Sequence, residues 1–99
     1  MAESGGIALG HNAITIGNFG IAIGPSAKVQ EDSGIAIGCA AIACTFSSIG
    51  IGYRGYALNN GTTSIGYMAR AEGSYSSAFG YDTVAYSNYS IVLGSEAEA

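Results

Sequence analysis

The chain has 99 residues, a net charge of −4 and only 10% charged side chains, against roughly 25% in an average soluble domain. That length allows one domain. Its three basic residues, Lys28, Arg54 and Arg70, cannot neutralise a run of phosphates, which argues against a nucleic-acid partner.

No apolar run approaches the ~20 residues of a helical membrane span, so no membrane insertion is expected. The start, Met1-Ala2-Glu3-Ser4, has no basic residue and no apolar stretch, so no signal peptide is expected in the sequence. Residues 1–5 read as an N-terminal extension and residues 6–99 as a single repeat domain. A surface this poor in charge predicts association with other chains.

Glycine recurs at Gly10, Gly24, Gly38, Gly52, Gly66, Gly80 and Gly94, always fourteen residues apart. With 16 glycines in the chain, chance fills all these places on the order of a few times in a million. The period defines a repeating unit, which is taken here from its first strand onward.

The unit opens on a period-two pattern, the mark of a short strand. The residue before each glycine is large and apolar: Leu9, Ile23, Ile37, Ile51, Ile65, Phe79 and Leu93. These are predicted to form one buried core ladder. The column one place earlier is small: Ala8, Ala22, Ala36, Gly50, Ser64, Ala78 and Val92. By alternation it points the other way. Too small and uncharged for a face in water, it is predicted to be the subunit interface. The repeat glycine then makes a corner, because glycine accepts the positive φ that a tight turn needs.

A second short strand follows, with the small columns Ala13, Ala27, Ala41 and Thr15, Val29, Ala43 on one face. A second corner carries Gly17-Asn18, Asn59-Asn60-Gly61, Gly73-Ser74 and Ser87-Asn88. Fourteen residues broken by a glycine leave no room for a helix of useful length. Two strands per unit at constant length stack as coils at ~4.8 Å. The expectation is all-β: a parallel β-solenoid of about seven fourteen-residue coils forming a rod of roughly 30–35 Å. The repeat phase runs to Ala99, so the ends are expected to be covered by another domain or subunit.

No catalytic set is visible, and no enzyme activity, cofactor or metal site is expected. His11, the one histidine, takes a corner position shared with Pro25, Cys39, Tyr53, Tyr67, Tyr81 and Ser95. Stretches such as Gly20-Ile21-Ala22-Ile23-Gly24 lack the lysine and helix of a phosphate loop, and the repeat accounts for them. Cys39 and Cys44 are too few for a disulfide framework or a four-ligand metal site and read as small apolar fillers. One lies at a corner and the other on the outward side of a strand, so no bond between them is expected.

The tyrosines form columns: Tyr53, Tyr67 and Tyr81 in one, Tyr75 and Tyr89 in another, with Phe19 in phase with the second. Stacked aromatics stabilise neighbouring rungs. They also offer contact area with polar tips, so these five are the candidate contact surface.

The segment Ala69-Arg70-Ala71-Glu72-Gly73-Ser74-Tyr75-Ser76-Ser77-Ala78-Phe79-Gly80, with Gly20–Gly24 and Gly34–Gly38, resembles the head repeats of YadA-like trimeric autotransporter adhesins. The resemblance covers residues 6–99. It implies a left-handed parallel β-roll and a tight homotrimer at the cell surface, adhering to host-surface or matrix proteins without enzyme activity. Gly6, Gly20 and Gly34 stand where the family pattern has serine, and no neck, stalk or membrane barrel is visible. An adhesive or receptor-binding module is therefore the first expectation. The alternative is a structural assembly protein: a phage fibre or capsid-decoration subunit with other virion proteins as partners, or an end-to-end filament.

Overall fold

Every strand of the protein pairs with the strand fourteen residues away, in parallel. The computed structural model describes residues 5–99. Of the expected N-terminal extension only Gly5, a turn residue, falls among them; residues 1–4 lie outside.

The first strand of each coil builds one sheet. It contains β1 (Ile7–Leu9), β3 (Ile21–Ile23), β5 (Ile35–Ile37), β7 (Ile49–Ile51), β9 (Thr63–Ile65), β11 (Ser77–Tyr81) and β13 (Ile91–Ser95), in that order. The second strand builds the other sheet: β2 (Ile14–Thr15), β4 (Lys28–Val29), β6 (Ile42–Ala43), β8 (Tyr56–Ala57), β10 (Arg70–Ala71) and β12 (Val84–Ala85). A single parallel bridge, Val84 to Glu98, starts the next rung. The result is a β-solenoid of about six turns with no helix among the described residues. Its Cα envelope measures 35 × 21 × 11 Å.

Both corners bring backbone into the left-handed region. At the first, each repeat glycine has φ between 113° and 136°, and the residue two places on is also positive, as at Asn12 and Arg54. Glycine is required here for a second reason. A Cβ on Gly38 would lie 2.5 Å from the Gly52 carbonyl oxygen of the next rung. The glycines therefore stack backbone on backbone. Side chains are excluded by the neighbouring coil as well as by φ.

The second corner is secured differently along the rod. Ser48, Thr62, Ser76 and Ser90 donate their hydroxyls to the carbonyls of Thr45, Asn59, Gly73 and Ser87 at 2.6–2.7 Å. Rungs are further tied by side chains: Asp32 and Asn88 accept the amides of Asn18 and Ser74, each one coil earlier, at 2.9 Å.

The interior reverses the predicted orientation of the first strand. Ala22, Ala36 and Ala78 are 0% exposed and form the core with Ala27, Val29, Ala41, Ala43, Ala57, Ala69, Ala71 and Ala85. Gly50 and Ser64 of the same column are buried, and Val92 nearly so; Ala8 at the end of the rod is half-buried. This column is therefore the core and not the subunit interface. The expected core ladder lies outside. Leu9 and Leu93 are 57% and 69% exposed, and Ile23, Ile37, Ile51, Ile65 and Phe79 are half-buried on the outer face of the sheet.

The reason is spacing. The Cα atoms of the described residues, corners included, fit in an 11 Å thickness, little more than the ~10 Å that separates the two layers of an ordinary sandwich. Even a single Cβ on Gly50 would come within 2.6 Å of the Gly55 carbonyl oxygen and 2.7 Å of that of Ile42 on the facing wall. An isoleucine has no room there. Close packing in so thin a core demands small residues on both walls.

Candidate interaction surfaces

With Ala, Gly, Ser, Thr and the two valines Val29 and Val92 filling the inside, every larger apolar side chain is displayed outward. The two faces differ. The outer face of the seven-stranded sheet carries Ile7, Ile21, Ile35, Ile49, Thr63, Ser77 and Ile91 beside the ladder from Leu9 to Leu93. Neither column holds a charged residue. The ladder is a continuous apolar strip along the whole rod, widened by the isoleucine column except at Thr63 and Ser77, and the side chains at its two ends, Ile7, Leu9, Ile91 and Leu93, are exposed. A strip of that extent is what a protein surface shows where it meets another surface.

The outer face of the six-stranded sheet is mixed. Lys28 and Arg70 stand on it among Ile14, Ile42, Tyr56 and Val84. The Arg70 Nε donates to Glu72 Oε2 at 2.7 Å. Cys44 is half-buried on this side, and burial pushes its thiol pKa up, with Lys28 pulling it partly back. Cys39 sits exposed at the first corner, and both thiols are free, as the spacing predicts.

The tyrosine columns are brought together as expected. Tyr53, Tyr67 and Tyr81 stack with ring centroids 5.1 and 5.2 Å apart and interplanar angles of 13° and 7°. At the opposite corner Tyr75 and Tyr89 stack at 5.5 Å and 12°. All five rings are exposed, Tyr89 most, at 75%. Where a ring face lies on the next rung, the ladders present ring edges and hydroxyl tips to solvent. The Arg54 guanidinium carbon lies 5.6 Å from the Tyr53 ring centroid.

His11 is exposed at its corner. No group of three or more potential metal ligands occurs among the described residues. One feature escaped the sequence pattern. Thr83 fills a column otherwise made of alanine and glycine. It is fully buried, and its hydroxyl has no hydrogen-bond partner.

The family model of the YadA head domain repeat matches residues 4–27, 16–38, 57–83 and 71–97. The chain belongs to the YadA head repeat family. A search of curated proteins and one of solved structures find no match. Family membership agrees with the coil geometry. YadA heads are surface-exposed, non-enzymatic parts of adhesins and are known for trimeric assembly. No helix among the described residues is long and apolar enough to cross a membrane.

Proposed function

We propose that this YadA-type roll is a non-enzymatic adhesive module that works as a homotrimer. In this reading three copies pack their seven-stranded sheets together and use the remaining surface to bind host-surface or matrix proteins. The observation that carries it is the uncharged Ile/Leu strip, continuous over the full rod and backed by a core too thin to have hidden it. It replaces the small column as the interface, since that column is spent on the core.

A second detail supports contact over this strip. Where Ser77 stands in the isoleucine column, the same strand carries Phe79 in place of isoleucine. The exchange is confined to this coil, since Thr63 stands beside an unchanged Ile65; a packed face has volume to conserve and a face in water has none.

Light scattering on the purified chain and on Ile37→Asp tests the assembly. The expected outcome is a discrete trimer for the wild type and a folded monomer for the variant, since a charge in a packed apolar interface must be desolvated without a partner. A wild type of 9.9 kDa in solution removes the assembly. Rods growing end to end transfer the reading to the structural assembly protein. Binding of the labelled trimer to cell monolayers and matrix-coated surfaces tests adhesion.

A further inference from the structure

Away from the apolar strip, Arg54, Tyr56, Met68, Arg70, Asp82 and Val84 line a shallow open groove. The repeat builds it. Arg54, Met68 and Asp82 occupy one corner position in three successive coils, and Tyr56, Arg70 and Val84 occupy one strand position in the same three. Two of the three cations of a chain carrying −4 therefore meet on one small surface.

Arg54 has no ion pair among the described residues; its guanidinium is held against the Tyr53 ring. Arg70 uses its Nε on Glu72, and a guanidinium has further donors beyond Nε. Aromatic contact pre-orients a guanidinium at little cost to its charge. The Tyr53–Tyr67–Tyr81 ladder runs along the adjoining edge.

We propose that this groove binds an acidic segment of a partner protein. Arg54 and the remaining Arg70 donors take its carboxylates, and Met68 and Val84 receive the apolar side chains between them. The proposal rests on the surface-binding reading above and names the partner's chemistry.

Three observations favour protein over an anionic polysaccharide. Stacking covers both faces of Tyr67 and one face each of Tyr53 and Tyr81, and Arg54 lies 5.6 Å from the Tyr53 ring centroid, so the ladder offers little ring face on which a sugar would lie. Asp82 lies in the groove and meets a uniformly sulfated chain with like charge, whereas it can accept a backbone N–H. Tyr, Arg and Met together are the residue types enriched in protein–protein contacts.

The test is fluorescence anisotropy of the assembled full chain with a fluorescein-labelled peptide alternating Glu and Leu. A Lys-Leu peptide serves as control and heparin as the competing polyanion. Arg54→Glu is the informative variant. It should fold, because Glu96 occupies the equivalent corner position with the same φ of 55°. Lys28→Glu makes the same charge change outside the groove, in a column where Glu98 stands.

The acidic peptide is expected to bind and the basic one not. Arg54→Glu should weaken binding at least about tenfold, and Lys28→Glu no more than about twofold. Absence of acidic-peptide binding overturns the proposal. So does an equal loss in the two variants, or heparin binding that depends on Arg54 without peptide binding. If the Arg54→Glu trimer adheres to cells and matrix as well as wild type does, the groove is wrong and the adhesive reading stands. A wild type that binds the peptide but no surface removes the adhesive reading and leaves the groove.

Discussion

The N-terminal and C-terminal halves of the rod share one backbone course and stabilise it by different means. In the early coils the second corner has Gly20 and Gly34, with no hydroxyl to donate. In the later ones Ser48, Thr62, Ser76 and Ser90 bond back to the carbonyl three residues earlier. The missing side-chain volume is supplied from the facing wall. Val29 stands where later coils have Ala43, Ala57, Ala71 and Ala85. A Cβ on Gly20 or Gly34 would lie 2.9 or 2.7 Å from its Cγ1. One half fills the corner with a valine methyl and the other with a hydrogen-bonded hydroxyl. The difference shows that a solenoid coil demands a filled volume at this point and accepts either chemistry.

The halves also differ outside. The early coils have no tyrosine and a strip made of isoleucine except for Leu9, while all seven tyrosines lie at or beyond Tyr53. Assembly surface is thus spread over the whole rod, whereas the surface rich in aromatic and cationic contacts belongs to the later coils.

The largest expected effect separates inside from outside in either half. Ala36→Arg or Ala78→Arg should abolish folding, because a buried unpaired charge costs several kcal/mol. Ile37→Asp should keep the β-sheet circular dichroism and lose only the assembly. If Ile37→Asp unfolds the chain while Ala36→Arg leaves it intact, the two columns have been assigned the wrong way round.

Next comes the exchange of corner solutions. Gly34→Ser should destabilise by about 1–3 kcal/mol through the clash with Val29. Adding Val29→Ala should recover most of that loss, since the pair then matches the later coils. Denaturant titration of both single variants and the double measures the coupling; simple additivity would show that Gly34 and Val29 act independently. In the other direction, Ser76→Gly should cost about 1 kcal/mol for the lost hydrogen bond, and Ala71→Val should partly offset it.

The smallest effect is a gain. Thr83→Ala removes a buried hydroxyl without a partner from a column that elsewhere holds alanine or glycine. It should stabilise by about 1 kcal/mol, as relief of an unsatisfied polar group does. A measured loss of stability in thermal unfolding would mean that the methyl group of Thr83 matters more to packing than the hydroxyl costs.

Much of this architecture is legible in the residues. The unbroken glycine phase carries the coil length, the parallel register and the first corner, and the Gly, Asn and Ser pairs carry the second. The in-phase tyrosines carry the two stacked ladders, because residues fourteen apart become neighbours along the rod axis. The Val29–Gly34 pair was not legible. Val29 lies on the wall and Gly34 at the corner, and nothing in the repeat says that one fills the space of the other. The groove was equally hidden: Arg54 and Arg70 are sixteen residues apart and meet only because one coil separates them in space.

By itself the sequence determined the period, the strand alternation, the two corners and the contents of every column. Only the tertiary structure decided which column of the first strand faces inward. Alternation says that Ala22 and Ile23 point to opposite sides; it does not say which side is the core. That choice belongs to the distance between the walls, which two tight corners hold within an 11 Å envelope. At that distance the facing carbonyls leave no room for isoleucine, so the small residues form the interior and the large ones form the surface.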